Sequence, residues 1–496
     1  MKNFLYTGAL LGLALSFSSC EKLEDINANP NEPATVDAGV LFTSGVRSSV
    51  NTSVNQTFLL GNNAAQLTAK SLRTEVDAYS WNSFSNVWTQ NYNSLSNLLE
   101  AERVAKASGN AQMEGAAKVM KSWVFATLTM AYGDIPYSEA ITGSTEANWF
   151  PAYDEQEAIF FGDGGLLDEL ASAAQLLGGA GSVDGDILFN GDASKWIKLA
   201  NALQLRLLMY ASNQMDVSTE FAAVAAGALM ESNADNAALT YTGSFPNEFP
   251  LVPLKEGDFD AVVLSSNAYD VLSGSDDPRL YVYARPVNAD VVAADPTAVP
   301  VYDGAENGLE TGTCDKSGSR LGYAYYNYPN HLSAGTMAEG IIMTYAEQQF
   351  LLAEAAHKGW ISEDAGALHK SGVEASMDYY GADFSMTAWT DFEEFYGQSG
   401  AAYNNDLGSI REQKWLAMYF TGLDNYFELR RWYVEENGQW ANLSFASAPC
   451  LNTNGDALPM RFLYPGNEES LNPENYQAAL AAMGGNTQNV KMWVVK

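Results

Sequence analysis

The stretch TYAEQQFLLAEAAHKGW, residues 344–360, decides the fold. At 100° per residue, most of its apolar and small side chains fall within one broad arc, which predicts an amphipathic α-helix. Glu354 and Lys358 lie four residues apart on the opposite side, in the order that favours an ion pair. Leu351 lies among these charged residues, so the pattern predicts a helix covered on nearly every side. Gly359 is well placed to end it, because glycine accepts the left-handed backbone of many helix ends.

A second helix is predicted directly after the first. Ser362 can cap it, small residues recur from Ala365 to Ala375, and Gly381 ends it. Two antiparallel helices with small residues at their seam are typical of a tetratricopeptide-type unit. Such a unit cannot bury its apolar face alone, so the rest of the chain must supply neighbouring units.

Further helices and long loops alternate along the chain. Apolar stripes predict helix pairs near 112–132, 194–231, 342–380 and 409–434, with Ser194 and Ser409 as caps and Gly422 as a stop, and further helices at 35–58 and 83–107. The intervening segments are rich in Gly, Asn, Asp, Pro and Tyr, and loops this long are usually functional: 134–192, 236–340, 381–408 and 436–496. The predicted fold is mainly α, a tetratricopeptide-like helical superhelix with large loop-rich insertions.

The first 20 residues predict export. A basic Lys2 precedes an apolar run that is too short to cross a bilayer, which predicts a removable signal peptide. Ser18 and Ser19 directly before Cys20 resemble a bacterial lipobox, in which the cysteine is lipidated and becomes the first mature residue. The alternative is ordinary cleavage after Ser18 or Ser19, with Cys20 incidental. Several acyl chains on one cysteine would hold the protein stably to a membrane.

The lipobox sets the predicted organisation of the chain. Residues 1–19 form the signal peptide, 20–34 the lipidated N-terminus and tether, and 35–496 one folded body. Cys314 and Cys450 remain, 136 positions apart; export permits a disulfide, but two unpaired cysteines fit the sequence equally well.

The chain is strongly acidic. Its net charge of −34 comes from 60 acidic and 26 basic residues, which argues against binding nucleic acid or an anionic bilayer surface. The predicted membrane attachment is therefore through the lipid anchor only. Scattered acids without a long run are typical of a soluble exterior rather than a polyanionic tail.

Several motifs recur along nearly the whole mature chain: NANPNEPAT after the tether, AYGDIPYSEA at 131–140, GDASKWIKLANALQLRLLM at 191–209, IMTYAEQQFLLAEAAHKGW at 342–360, IREQKWLAMYFTGLDNYFELRR at 410–431, and the tail RFLYPGNEESLNPEN. Together, and in this order, they resemble the SusD/RagB group of outer-membrane nutrient-binding lipoproteins from Bacteroidetes, in particular its SusD-like branch. One departure is that many relatives have Glu-Ala-Trp before the double arginine, where this chain has residues 424–427, DNYF.

The resemblance implies a function as well as a fold. Members are non-enzymatic lipoproteins at the cell exterior that cap a SusC-like TonB-dependent outer-membrane transporter. They capture oligosaccharides, or in some members peptides, and open like a hinged lid to deliver them. Other hypotheses stay open at this point: a peptide-binding member, a surface glycosidase or peptidase on a helical frame, or a helical-repeat adaptor without a small ligand. The loop content argues against the adaptor, which would consist mostly of repeats.

No catalytic signature is found in the sequence. The HExxH motif is absent and the only histidines are His331, His357 and His369, too scattered for a zinc site. No Gly-Lys pair exists, which excludes a P-loop. With 60 acidic residues, the sequence leaves open a pair of carboxylates at the spacing of a glycosidase. We expect no cofactor; a structural Ca²⁺ at DGDILFNGD, 184–192, is an alternative to a capped turn.

Aromatic residues in or beside the loops are the candidates for ligand contact. An exposed ring offers a weakly polar platform for the C–H face of a sugar or for a peptide side chain. The competing interpretation is that these rings cover the helical scaffold. Helical stripes account for other tryptophans but not for six residues set among Gly, Asn and Ser, which we predict to bind the ligand: Trp81, Trp88, Tyr323, Tyr325, Tyr326 and Trp389.

Overall fold

The computed structural model describes residues 36–245, 247–295, 297–325 and 338–496. The predicted signal peptide, Cys20 and the tether lie outside these residues, as does Tyr326. Among the described residues, no helix combines the length and the apolar character needed to cross a bilayer.

Helices dominate the described chain, which confirms the predicted fold class. Those of eight or more residues are α1 (Ala38–Gln56), α2 (Ser85–Ser108), α3 (Ala111–Tyr132), α4 (Leu166–Leu177), α5 (Ala193–Ala211), α6 (Ser218–Ala225), α7 (Ser266–Gly274), α8 (Tyr345–His357), α9 (Ala365–Tyr380), α10 (Leu407–Ala417), α11 (Asp424–Glu435) and α12 (Pro473–Met483). A π-helical turn, Thr57–Gly61, extends α1. Shorter helices include Gln156–Phe161, Glu256–Phe259, Leu280–Tyr283, Ala289–Ala294 and Phe392–Gln398.

In the described part of the chain, four short strands form two separate antiparallel pairs. β1 (Thr68–Lys70) pairs with β3 (Val262–Leu264), with Thr68 opposite Leu264. β2 (Ala237–Thr240) pairs with β4 (Glu339–Met343), with Thr240 opposite Glu339. Both pairs join segments far apart in sequence, so they tie the loop-rich insertions to the helices.

The helices pack as successive pairs. α2 lies against α1 and α3, α4 lies against α3 and α5, and α8 lies against α9 and α10. One large apolar core runs through the molecule, and a second, smaller one lies between α8, α9 and α10. This is the stacking that a repeat unit needs, because each pair buries the apolar face of its neighbour.

Helix α8 is covered on every side, as predicted, but the face that carries its acidic residues is more deeply buried than the sequence indicated. Residues 346–355 are all buried, and Glu347 and Glu354 have no exposed surface. Arg206 from α5 binds Glu347 at 2.7 Å, and Arg431 from α11 binds Glu354 at 2.7 Å. The predicted polar side is therefore buried because neighbouring helices supply arginines. The predicted pair between Lys358 and Glu354 is confirmed at 2.9 Å.

Helix starts depend on carboxylates where serines were predicted. Asp192, Asp364 and Asp406 accept backbone N–H groups at the starts of α5, α9 and α10, so Ser194, Ser362 and Ser409 are not the caps. A short acidic side chain can occupy this position as well as serine can, and it also favours the positive end of the helix dipole.

Helix ends agree in part with the prediction. Gly359 and Gly381 adopt left-handed backbone, with φ of 76° and 68°, directly after α8 and α9. α10 ends at Ala417, before the predicted stop at Gly422, and α6 ends at Ala225, short of the predicted 231.

The two remaining cysteines form a disulfide, Cys314 to Cys450. Of the two alternatives left open by the sequence, the structure has the disulfide rather than two free thiols. Among the described residues, one cluster of three metal-ligating side chains exists, Glu306 with these two cysteines, and both of its sulfurs belong to the disulfide.

The acidic loop at 184–192 adopts a capped turn. Both carboxylate oxygens of Asp186 accept N–H groups, from Leu188, Phe189 and Gly191 and from the Trp196 indole. Asp192 caps α5. The structure therefore favours the turn over the calcium alternative, because these two carboxylates already serve local N–H donors.

Candidate functional site

Three of the six predicted ligand-contacting aromatics are buried in the core. Trp81, Trp88 and Tyr325 are 7%, 6% and 5% exposed. The Trp81 indole donates to the Val76 carbonyl at 3.0 Å. Ligand contact by these three stays a prediction, but the premise that they lie uncovered in polar loops is wrong.

The cover on these rings comes from distant parts of the chain. Trp81 packs edge-on against Tyr426 and Phe462, with ring centroids 5.0 and 5.2 Å apart. Trp88 is surrounded by Tyr92, Tyr132, Tyr153 and Tyr464. Periodicity within a window of sequence cannot show contacts across more than 300 residues.

Trp389 is intermediate in exposure between the buried rings and an exposed one. Its ring is half-buried against Phe395, with centroids 6.3 Å apart, and its indole N–H donates to the Ser275 carbonyl at 3.0 Å. One face is therefore held by the scaffold. Tyr326 lies outside the described residues.

Tyr323 is the exposed one among the five described members of the set, with 48% of its surface accessible. Its loop is held by a bridge between Leu321 and Ala284 and by the Gly322 N–H, which donates to the Tyr283 carbonyl at 2.9 Å. A Cβ at position 322 would lie 1.8 Å from the Val282 carbonyl oxygen, so only glycine allows this approach. The ring is thus presented to solvent from a fixed backbone.

Arg285 supports the Tyr323 ring from the protein side. Its guanidinium carbon lies 5.0 Å from the ring centroid, and its Nε donates to the Leu321 carbonyl at 2.8 Å. Arg285 is 8% exposed, and burial lowers the pKa of its guanidinium. Its Nη2 has no hydrogen-bond partner among the described residues. A donor beside the platform is therefore unused.

Asp260 supplies a complementary acceptor in the same region. Its Oδ2 binds Arg320 at 2.9 Å, while its Oδ1 is buried without a partner among the described residues. Burial raises the pKa of Asp260, and the charges of Arg320 and Arg285 oppose that rise. Both unpartnered atoms, Arg285 Nη2 and Asp260 Oδ1, are shielded from solvent.

Tyr323 also borders a cleft of about 450 Å³, which we call the tyrosine cleft. Tyr281 also lines this cleft, and its ring centroid is 5.3 Å from that of Tyr302. Glu339, another lining residue, accepts hydrogen bonds from the Tyr379 and Thr240 hydroxyls at 2.9 and 2.7 Å. Burial, followed by the Glu339 charge, raises the pKa of Tyr379 well above its usual value.

The chemistry of this region is recognition by stacking and hydrogen bonding. The cleft combines tyrosine rings with a few polar groups, the composition expected of a site for an amphipathic small ligand. Tyr323 was predicted from the sequence as a ligand residue, and its role stays a prediction; Arg285, Asp260 and Tyr281 in the same region were not predicted. The only sequence signal for them was an acid and an arginine inside a tyrosine-rich loop region, which many surface segments share.

The chain matches a known protein family. A SusD-like family model, described as "Starch-binding associating with outer membrane", matches residues 30–465. The chain belongs to the SusD-like family. This confirms the resemblance inferred from the motifs, and the family description itself names binding and association with the outer membrane. No match among curated protein sequences reaches significance.

Solved structures share the fold of this SusD-like protein over almost the whole chain. An outer-membrane protein from Bacteroides vulgatus, described as probably involved in nutrient binding, is 27% identical with a TM-score of 0.76, covering 93% of this chain and 100% of its own. A SusD homologue from Bacteroides fragilis is 26% identical, with a TM-score of 0.74 and coverage of 93% and 100%. A chitin-binding protein is 26% identical, with a TM-score of 0.75 and coverage of 92% and 99%.

Proposed function

We propose that this protein is a lipid-anchored surface receptor that binds an uncharged nutrient oligosaccharide and passes it to a SusC-like TonB-dependent transporter. The observation that carries the binding proposal is the exposed ring of Tyr323, which is held on a fixed backbone at the border of the tyrosine cleft. A sugar ring can place its apolar C–H face on this ring while its hydroxyls contact polar groups that line the cleft, such as Glu339.

Two comparisons support a glycan. The family description names starch, and one relative of similar fold is a chitin-binding protein. Starch and chitin are both uncharged polymers, which suits a strongly acidic receptor because an anionic ligand would be repelled. A peptide-binding function remains the alternative, and the binding experiment includes it.

A binding role also suits the carboxylates of the tyrosine cleft better than hydrolysis does. A glycosidase uses two carboxyl groups, one as an acid and one as a base or nucleophile. Glu339 instead accepts hydrogen bonds from two protein hydroxyls, an arrangement that holds β2, β4 and α9 together. We therefore propose no catalytic residue.

Calorimetry with alanine variants tests the site. After an array identifies a glycan, with a peptide library screened in parallel, Tyr323→Ala should weaken binding by about 2 kcal/mol, on the order of 30-fold, while Tyr323→Phe keeps most of the affinity. Trp149→Ala is the matched control, because Trp149 is a ring that is 68% exposed elsewhere on the surface. Wild-type affinity in Tyr323→Ala would place the site elsewhere, and selective capture of peptides would favour the alternative.

Membrane attachment and the transporter partnership need separate tests. Cys20→Ala should yield a folded protein that is released from the outer membrane, whereas normal outer-membrane labelling of this variant would contradict lipidation at Cys20. Purification from native membranes in mild detergent should bring down a large β-barrel transporter with the wild type. Recovery of a free monomer across several growth substrates would count against the partnership.

A further inference from the structure

A second cleft, which shares no lining residue with the tyrosine cleft, lies beside the π-helical turn. Its volume is about 740 Å³, and it lies between the C-terminal half of α1 and the first turns of α2. Its lining contains six primary amides, for which we call it the amide cleft: Asn51, Asn55, Gln56, Asn82, Asn86 and Gln90. None of the six was predicted as a ligand residue from sequence.

The amide cleft carries no charge. Serine, threonine, leucine, valine and phenylalanine complete its described lining, and no acidic or basic side chain is among them. This is unusual for a protein with 60 acidic residues. An uncharged wall of donors and acceptors cannot hold an ion strongly, but it suits a neutral ligand with many hydroxyl or amide groups.

Gln56 provides an independent indication of a ligand. Its side chain lines the cleft and is 6% exposed, yet its amide nitrogen has no hydrogen-bond partner among the described residues. An unpaired buried amide destabilises a protein, so buried polar groups nearly always have partners. A rotation of the Gln56 side chain toward the cleft would let a ligand oxygen give this amide the partner that the described residues do not supply.

The start of α2 adds donors to the same wall. Phe84 precedes the helix in left-handed backbone, with φ of 41°, and no side chain caps the helix. The first N–H groups of a helix have no partner within it. Ser85 and Asn86, which line the cleft, therefore present backbone donors at the positive end of a 24-residue helix. A neutral oxygen acceptor, such as a hydroxyl or a carbonyl, suits this position.

Two apolar side chains give the cleft a surface for the C–H face of a ring. Leu59, on the π-helical turn, is 48% exposed, and Phe84 is half-buried against Trp81 and Phe462. Single-turn π-helices within α-helices often occur at functional sites. The left-handed backbone of Phe84 is also uncommon for a bulky residue, and such strain persists where the surroundings fix it.

We propose that the amide cleft is a second binding site of this receptor, separate from Tyr323, and that it holds an uncharged segment of oligosaccharide. The inference rests on the proposed function for the choice of a glycan. Its volume lies within the range of small-molecule sites, and its amides match hydroxyl groups in number and polarity. A long glycan chain or two separate chains can thus be held at two places on one protein.

The test uses the full-length protein and two sets of variants. Asn86→Ala combined with Gln90→Ala removes two exposed amides, and Gln56→Leu removes the buried one. Gln175→Ala, an exposed amide on α4, is the control. The probes are maltoheptaose and chitohexaose, with oligogalacturonate as the charged control and a neutral Gly-Ser peptide as the peptide control, measured by calorimetry with stoichiometry.

We expect two binding events for an uncharged probe with the wild type. The amide-cleft variants should weaken one event by about tenfold and leave the event that depends on Tyr323 unchanged. Gln56→Leu should melt at or above the wild-type temperature, because it removes an unpaired buried amide. A purely structural Gln56 would instead show a lower melting temperature with unchanged binding.

Three results would overturn the inference. Binding that depends on Tyr323 alone, with the amide-cleft variants equal to wild type in affinity and stoichiometry, would refute the second site and leave the proposed function intact. Binding of the charged probe or of the peptide in the cleft would refute the glycan assignment. If neither uncharged probe binds and the array identifies no glycan, both proposals are refuted. Loss of binding only in the cleft variants would support the cleft and displace Tyr323.

Discussion

Arg206 lies inside the helical body with acidic groups on two sides. Its guanidinium binds Glu347 at 2.7 Å and Asp424 at 3.0 Å, and it donates to the Ile342 carbonyl. Glu347 has no exposed surface, so its charge depends on this partner. In the sequence, Arg206 lies within an apolar stripe, so it needs an acidic partner if it is buried. The sequence could not identify the partners, because Glu347 and Asp424 come from α8 and α11.

Removing this cation should be costly. Arg206→Met leaves buried carboxylates without a partner, which typically lowers the free energy of unfolding by about 3–5 kcal/mol. Lys370→Met is the control, because the pair between Lys370 and Glu393 is exposed and solvent screens such pairs, so they contribute little. Denaturant unfolding of both variants checks the difference. Equal losses would show that the buried carboxylates find other partners.

Asp77 makes stability depend on pH. Burial raises its pKa to about 7, while the Lys316 ammonium at 3.5 Å and the Lys70 N–H oppose the rise. The folded pKa is higher than the unfolded value, so folding favours the protonated form. This contribution is complete below the unfolded pKa near 3.8 and is lost as pH rises to about 7.

Asp77→Asn removes this titration while keeping the shape of the side chain. The melting temperature of the variant should therefore gain on that of the wild type as pH rises from 4.5 to about 7, and the difference should be constant above that. Calorimetric scans of both proteins across this range provide the measurement. A difference that is the same at every pH would show that Asp77 titrates alike in the folded and unfolded chains.

At the scale of elements, the seam between α8 and α9 shows why small residues define the repeat unit. A Cβ at Gly372 would lie 3.0 Å from the nearest atoms of the Phe350 ring. Gly372→Leu should therefore force the helices apart and cost about 1–3 kcal/mol, more than the roughly 1 kcal/mol gained in helix propensity. Ala367→Leu, on the exposed side of α9, should be neutral or stabilising. Thermal melting compares the two, and similar melting temperatures would contradict a tight seam.

Elements were the most predictable level of this structure. Apolar periodicity is a local property, and it predicted α1, α2, α3, α8 and α9 to within a few residues. The errors lie where another segment decides the outcome. Ile342 belongs to β4 because that strand pairs with β2. Helix α10 ends at Ala417, before Gly422, the glycine that was predicted to end it.

The site was less predictable than the elements for the same reason. Trp81, Trp88 and Tyr323 all lie in polar sequence, yet only Tyr323 is exposed. The difference depends on whether residues near 426 and 462–464 reach the ring, which is a tertiary property. Gln56 was not predicted for the same reason. That its amide nitrogen has no partner among the described residues can be seen only when its neighbours in space are known.

At the scale of the whole molecule, the disulfide joins two loop regions that are far apart in sequence. Cys314 and Cys450 are separated by 136 positions. The Cys450 N–H donates to the Asn307 carbonyl at 2.8 Å, and the Asn307 side chain donates to the Thr68 carbonyl in β1 at 2.9 Å. The bond therefore fixes the C-terminal loop to the insertion that also carries Tyr323.

The closing of so long a loop predicts a measurable loss when the bond is removed. Cys314→Ser, Cys450→Ser and the double variant should each lower the free energy of unfolding by about 2–4 kcal/mol, because a disulfide restricts the unfolded chain. The three losses should be nearly equal, since each variant removes the same bond, and independent sites would instead add. Thermal unfolding of the three variants, with peptide mapping of the unreduced wild type, checks both points. A double variant that loses the sum of the single losses, or a wild type whose two cysteines react with an alkylating reagent after unfolding without reductant, would show that the cysteines act separately. Equal losses would mean that one covalent bond, beyond the reach of any local pattern in the sequence, holds the loop region of the proposed binding site to the helical body.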